Sequence, residues 1–92
     1  MSETPRAGLA EIEARLRAAL NPSELRLEDD SARHAGHAGA REGGHYTLYI
    51  TSERFTGLQR VARHRLVYDS LSDLMRQGIH ALAIQARAPG EP

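Results

Sequence analysis

The stretch GIHALAIQAR (residues 78–87) carries the residue pattern that decides the fold. In it Leu82 and Ile84 alternate with Ala83 and Gln85, which is the period-two pattern of a strand with one buried face. We therefore predict a strand over 79–86. Two earlier stretches alternate in the same way and predict strands at 24–30, around LRLE, and at 45–52, around YTLYIT.

A helix is predicted before the first of these strands, over residues 5–20. The apolar residues Leu9, Ile12 and Leu16 are spaced to form one stripe along it, and Thr4-Pro5 suits its cap and first turn. This stripe is expected to pack against the sheet.

Helical spacing returns between the second and third strands, over residues 61–75, and we expect a break near 70–72 into two short helices. Residues 31–44, between the first two strands, contain several glycines and no apolar periodicity, so they predict a long loop. The predicted order of elements is α-β-β-α-α-β, which is a single α/β (α+β) domain.

The connections between the strands predict a mixed three-stranded sheet. The first two strands follow each other and should pair antiparallel, whereas a helical crossover joins the second and third strands, which should run parallel. The starts of the last two strands then share one edge of the sheet with the 31–44 loop. This topology gathers four histidines at that edge: His34, His37, His45 and His80. His80 is in phase with Leu82 and Ile84, so it is expected to start on the helix-covered face.

The composition limits what the chain can do. Its 92 residues form one small domain, which we place at 5–88 with flexible termini at 1–4 and 89–92, and this leaves no room for a deep substrate chamber. We interpret Glu28, Asp29 and Asp30, at the end of the first strand, as a polar strand terminus and not as a catalytic acid cluster, and no nucleophile stands beside a base, so we predict that the chain is not an enzyme. Without a membrane-length apolar run or an export signal, we expect a cytoplasmic protein with no membrane contact.

Charge and cysteine content narrow the classes further. Twelve basic and twelve acidic residues cancel, so no global positive field favours nucleic acid, and any such binding needs a local patch. The chain has no cysteine, which excludes disulfides and any iron-sulfur cluster held by its own thiolates.

Four segments together resemble the BolA family, and the resemblance covers nearly the whole chain. They are DSARHAGHAGAREGGHY (30–46), RFTG (54–57), RHRLVYDSL (63–71) and GIHALAIQAR (78–87). The resemblance implies a compact α-β-β-α-α-β domain similar to a type II KH domain, with a three-stranded mixed sheet and its helices on one face.

The same resemblance implies a non-enzymatic role in cluster trafficking or iron sensing. A BolA-like protein would pair with a monothiol glutaredoxin and share a 2Fe-2S cluster supported by glutathione, with nothing bound tightly to the isolated chain. The implied metal ligands are His80, at the start of the last strand, and His34, three residues after Ser31, while His37 is a possible substitute. The partner would then supply the thiolates.

Simpler interpretations of the histidines remain open. The spacing of His34, His37 and His45 could bind zinc, nickel or copper without a partner, although it lacks the thiolate or carboxylate ligands of established sites. His45 alternates with Thr47 and Tyr49, which is typical of a solvated residue on the open sheet face. His80 could be a hydrogen-bonded packing residue.

A basic segment at the start of the second helical stretch supports a different function. Arg60, Arg63, His64 and Arg65 could contact phosphates, as in a nucleic-acid-binding transcriptional regulator of KH-like or helix-turn-helix type. They could instead dock glutathione carboxylates or an acidic partner, or form an ordinary solvated face, with His64 an exposed helix position. The G-x-x-G that clamps phosphates in KH domains is missing between the helices, which weighs against nucleic acid.

Overall fold

The computed structural model describes residues 8–30, 44–76 and 79–92, and for Gly44, Ile79 and His80 it describes the backbone only. The elements follow the predicted α-β-β-α-α-β order, with one added 3-10 turn. They are α1 (Leu9–Leu20), β1 (Glu24–Asp29), β2 (Gly44–Thr51), the 3-10 turn (Glu53–Phe55), α2 (Arg60–Ser70), α3 (Ser72–Met75) and β3 (Ile79–Arg87). The break between α2 and α3 lies at Leu71, as predicted.

The sheet has the predicted topology, with strand order β1-β2-β3. β1 pairs antiparallel with β2, and β2 pairs parallel with β3. Because β2 is central, its buried side chains face the core between aligned neighbours: Leu48 pairs with Leu27 on one side and Ile84 on the other. Within the described part of the chain no helix is long and apolar enough to cross a bilayer.

The core lies between the helices and one face of the sheet. Tyr46, Leu48 and Ile50 are buried, whereas the alternating Thr47 and Tyr49 are half-exposed on the opposite face. The helices contribute the apolar residues that the 3.6-residue period places inward: Ile12, Leu16, Leu20, Val67 and Leu74. Burying one such Leu or Ile stabilises the fold by about 1.5–3 kcal/mol. The prediction that the helices cover one face is confirmed.

The first helix begins later than the sequence pattern predicts. Gly8 is extended, with φ −102° and ψ 170°, and caps a helix that starts at Leu9 instead of residue 5. Glycine is a poor helix former because folding restricts its backbone more than that of other residues. Thr4-Pro5, the predicted cap, lies outside the described residues.

The 3-10 turn after β2 was not predicted, and it ties the end of β2 to the end of α1. The buried hydroxyl of Ser52 donates to the carbonyl of Leu20 at 2.6 Å and accepts from the N–H of Arg54 at 3.1 Å. Phe55 is fully buried behind this turn, and Gly57 follows with φ 80°, a backbone conformation that suits glycine. Single-turn elements of this kind carry no periodicity in sequence.

The end of the chain differs from the unstructured tail expected at 89–92. Ala88 is buried, Gly90 has φ 87°, and the N–H of Glu91 donates to the carbonyl of Ala88 at 3.2 Å. The Glu91 carboxylate also accepts from the N–H of Ala88 at 2.9 Å. Residues 88–91 therefore form a hydrogen-bonded turn.

Candidate functional site

One edge of the sheet brings together the starts of β2 and β3 and the end of β1; we call it the histidine edge. Gly44 pairs with Ile79 and His45 pairs with Ala81, while Asp30, just after β1, donates its N–H to the carbonyl of His45 at 2.7 Å. The predicted convergence of the three strand ends at this edge is therefore confirmed for the backbone.

The backbone of His80 occupies an irregular position in this edge. Between Gly44 and His45 the register shifts, so one step along β2 faces two steps along β3, and His80 is the extra residue. Such a bulge bends its strand, can re-aim a side chain, and is common beside functional sites. The alternation that puts His80 in phase with Leu82 takes no account of this bulge. The side chain of His80 lies outside what the structure describes.

His45 is less solvated than its sequence pattern suggests. It is half-buried and, with Asp30 and Thr47, lines a surface pocket of about 390 Å³ that also contacts the start of β3 at Ala81. The hydroxyl of Thr47 donates to the carboxylate of Asp30, which fixes one wall of the pocket. The alternation of residues in β2 predicts a solvated His45, because alternation within one strand carries no information about the register with β3.

The other two loop candidates, His34 and His37, lie outside the described residues. Among the residues that the structure does describe, no group of three or more histidine, cysteine, aspartate or glutamate side chains is placed to hold a metal ion. The ligand assignments to His80, His34 and His37 stay predictions.

The opposite end of β3 carries a second site, a groove of about 440 Å³ between the start of α2 and the end of β3. We call it the arginine groove; its lining includes Arg60, Arg63, His64, Arg87 and Glu91. At roughly 3.3 Å per residue along a strand, Arg87 lies about 23 Å from His80. The two candidate sites therefore lie at opposite ends of β3.

Arg63 is held inside this groove by contacts within the chain. Its side chain is 13% exposed, and its two terminal nitrogens donate to the two carboxylate oxygens of Glu91 at 2.7 and 2.8 Å. Its Nε donates to the carbonyl of Leu58 at 2.8 Å, and Nη1 reaches the carbonyl of Ala86 at 3.2 Å. Arg63, which the sequence predicts as a phosphate or partner contact, is thus an internal clamp between α2, β3 and the final turn.

This clamp shifts the ionisation of both partners. Mainly through the hydrogen bond from Arg63, and also through the N–H of Ala88, the pKa of Glu91 is lowered to about 2. The same hydrogen bond raises the pKa of Arg63. The pair is therefore charged at all ordinary pH values.

The remaining basic residues of the segment behave differently from Arg63. Arg60 and Arg65 are exposed, and among the described side chains neither forms an ion pair, which agrees with a solvated or partner-binding role. His64 is half-buried beside the groove instead of being an exposed helix position. Val61, 66% exposed, and Tyr68 add apolar surface to the same helix.

Comparisons with known proteins agree with this architecture. A family model described as BolA-like protein matches residues 16–91. SufE-like protein 1 (chloroplastic/mitochondrial) of Arabidopsis thaliana is 44% identical over 86 residues, which cover 87% of this chain and 23% of that protein. The DNA-binding transcriptional regulator BolA of Escherichia coli (strain K12) is 40% identical, over 79% of this chain and 68% of that protein.

A solved structure, the BolA domain of SufE1 from Arabidopsis thaliana, superposes with a TM-score of 0.81 at 44% identity, covering 94% of this chain and 99% of that chain. The chain spans less than a quarter of the full plant relative, so only the domain is compared. The family match over residues 16–91, together with these identities, shows that the chain belongs to the BolA-like protein family.

Proposed function

We propose that this chain is a non-enzymatic adaptor that pairs with a monothiol glutaredoxin and supplies histidine ligands to a shared 2Fe-2S cluster. The observation that carries the proposal is the histidine edge, where a bulge at His80 lies beside Gly44 and His45, and where Asp30 pairs with His45 from the β1 side, so that both ends of the segment containing His34 and His37 meet this edge. The cluster is cargo shared between two proteins, so the isolated chain binds none tightly.

The ligand chemistry supports a partner. A 2Fe-2S cluster is usually held by four thiolates, and this chain has none. Imidazole ligands on one iron raise the reduction potential, as in Rieske centres, and leave the second iron to the thiolates of glutaredoxin and glutathione. His80 and one loop histidine match that requirement, with His34 the first choice and His37 or the half-buried His45 the alternatives.

Reconstitution with a monothiol glutaredoxin, iron, sulfide and glutathione tests the proposal. Visible absorption and circular dichroism should show a cluster spectrum distinct from that of the glutaredoxin alone, and His80→Ala should abolish the difference. His34→Ala, His37→Ala and His45→Ala identify the second ligand, since one of them should reproduce the loss. His64→Ala is the matched control, because His64 lies beside the arginine groove.

Two results would contradict the proposal. If the spectrum of the wild-type mixture equals that of the glutaredoxin alone, the two proteins do not share a cluster. A distinct spectrum that survives His80→Ala would reduce the chain to an adaptor that binds the partner without contributing the predicted ligand.

Nucleic-acid binding is the second candidate, and the observation that favours it is the exposed pair Arg60 and Arg65 on α2. The Escherichia coli relative is named a DNA-binding regulator. Phosphate contacts would make binding weaken steeply with salt. A salt titration of duplex DNA binding, with the Arg60→Ala and Arg65→Ala variants, tests this candidate; a salt-independent affinity that both variants retain would exclude it.

A further inference from the structure

The arginine groove concentrates positive charge in a chain whose twelve basic and twelve acidic residues cancel overall. Three arginines, Arg60, Arg63 and Arg87, line it together with one acidic side chain, Glu91. Among the described residues, neither Arg60 nor Arg87 forms an ion pair or a side-chain hydrogen bond. Guanidinium groups gathered in a concave site raise the local concentration of anions.

The groove already binds one oxyanion, the carboxylate of Glu91. Arg63 holds it with two parallel N–H···O bonds of 2.7 and 2.8 Å, which is the fork geometry that arginine uses for carboxylates and phosphates.

The fork is also held in place without its anion. The carbonyl of Leu58 fixes Nε, and the carbonyl of Ala86 accepts from Nη1. Arg63 would therefore keep its orientation if Glu91 moved away. A fork that is oriented beforehand loses little side-chain entropy on binding a second anion.

We propose that the arginine groove is a binding site for the phosphate groups of a small molecule, and that Glu91 is an internal competitor for it. An incoming phosphate replaces the Glu91 carboxylate on Arg63 and is neutralised further by Arg60 and Arg87. A volume of about 440 Å³ lies within the usual range of small-ligand pockets, and its concave form suits a compact anion better than the convex surface of a DNA duplex. The site lies at the far end of β3 from the histidine edge, so it does not depend on the adaptor function.

Titration with pyrophosphate, monitored by calorimetry and by the NMR chemical shifts of the backbone amides, tests this site. Glu91→Gln should tighten pyrophosphate binding by about tenfold, because it removes the competing charge, and Glu91→Ala should do the same. Arg60→Ala and Arg87→Ala should each weaken binding several-fold, and the shifts should map to the start of α2 and the end of β3.

Two exposed residues provide matched controls. Arg65→Ala removes an arginine of α2 that does not line the groove, and Glu53→Gln removes a carboxylate from the 3-10 turn. Neither should change the affinity for pyrophosphate by more than about twofold, since exposed charges beyond the site are screened. Far-ultraviolet circular dichroism confirms that each variant is folded.

The outcomes separate cleanly. If neither Glu91→Gln nor Glu91→Ala tightens pyrophosphate binding, Glu91 is not a competitor and the proposal fails. Equal losses in Arg65→Ala and Arg87→Ala would show general attraction of anions instead of a site. A single-stranded oligonucleotide whose binding responds to Glu91→Gln, with no such response for pyrophosphate, would assign the groove to nucleic acid and overturn the small-ligand proposal.

Discussion

The two ends of β3 are built in different ways. At the histidine edge, backbone pairing aligns His45 with Ala81 and leaves His80 in a bulge. At the arginine groove, side chains do the positioning: Arg63 joins α2, β3 and the final turn through Glu91 and two carbonyls. The cluster proposed for the first end would need thiolates from a partner, because the chain has no cysteine, whereas the second end already pairs its central arginine with Glu91.

This difference shows how each end depends on the rest of the molecule. The histidine edge follows from strand order, so any sequence that makes these three strands in this order brings the same positions together. The arginine groove depends on one ion pair between residues that are 28 apart in the chain. Changes to the core should therefore disturb both ends, whereas changes to single charged groups should disturb one.

The largest effect is expected from Leu48→Ala, which removes the scaffold that both ends share. Leu48 is fully buried at the centre of β2, so the free energy of unfolding should fall by about 2–5 kcal/mol. Chemical denaturation measures this, and Val61→Ala, at a position that is 66% exposed, is the control with an expected change below about 0.5 kcal/mol. A small loss at Leu48 would mean that the two ends are not held by one core.

A smaller loss of stability is expected from Ser52→Ala, which affects the end of the sheet that carries the arginine groove. The variant leaves the carbonyl of Leu20 without its buried hydroxyl donor, and the free energy of unfolding should fall by about 1–3 kcal/mol. Ser23→Ala removes an exposed hydroxyl with a long 3.4 Å contact and should have little effect. Equal effects in the two variants would contradict the role assigned to Ser52.

Glu91→Gln should lower stability slightly, and the effect should depend on pH. Because the pKa of Glu91 falls from 4.5 to about 2 on folding, its contribution is present above pH 4.5 and is lost as the pH falls towards 2. Denaturation midpoints of wild type and variant should therefore differ at pH 7 and converge near pH 2. The difference is small because the pair is partly exposed to solvent. A gap that does not narrow on acidification would contradict the clamp.

The last prediction is that a substitution at one end of β3 leaves binding at the other end unchanged. His80→Ala should leave pyrophosphate affinity unchanged, and Glu91→Gln should leave the cluster spectrum with glutaredoxin unchanged, since about 23 Å of strand separates the two sites. Both measurements use the variants described above. A change in either one would show that β3 couples its two ends and that the two sites are not independent.

Much of the fold could be predicted from the sequence, because strand alternation and helical spacing are local patterns. The buried faces of β2 and β3 follow directly from Tyr46, Leu48, Leu82 and their alternation, and strand connectivity then predicts the shared edge. The start of α1 was placed too early because Thr4-Pro5 suits a cap and first turn, whereas Gly8 caps a helix that begins at Leu9, where the apolar stripe starts. The 3-10 turn was not predicted because three residues are too few to show a helical repeat of apolar positions.

The candidate sites were predicted less completely. The sequence identified the basic segment but not that Arg63 is clamped, because its partner Glu91 belongs to a terminal stretch whose composition suggests no structure. His45 was interpreted as solvated, yet its register with Ala81 places it against the start of β3. The roles of His80, His34 and His37 as ligands stay predictions.

The sequence by itself determined the order of elements, the faces of the strands and the absence of cysteine thiolates, since each depends on residue type and local spacing alone. Only the tertiary structure decided where the bulge falls, how deeply His45 is buried and which acid satisfies Arg63. The physical reason is that register and ion pairing join residues far apart in the chain. Their free energies depend on the packed geometry, which no local pattern records.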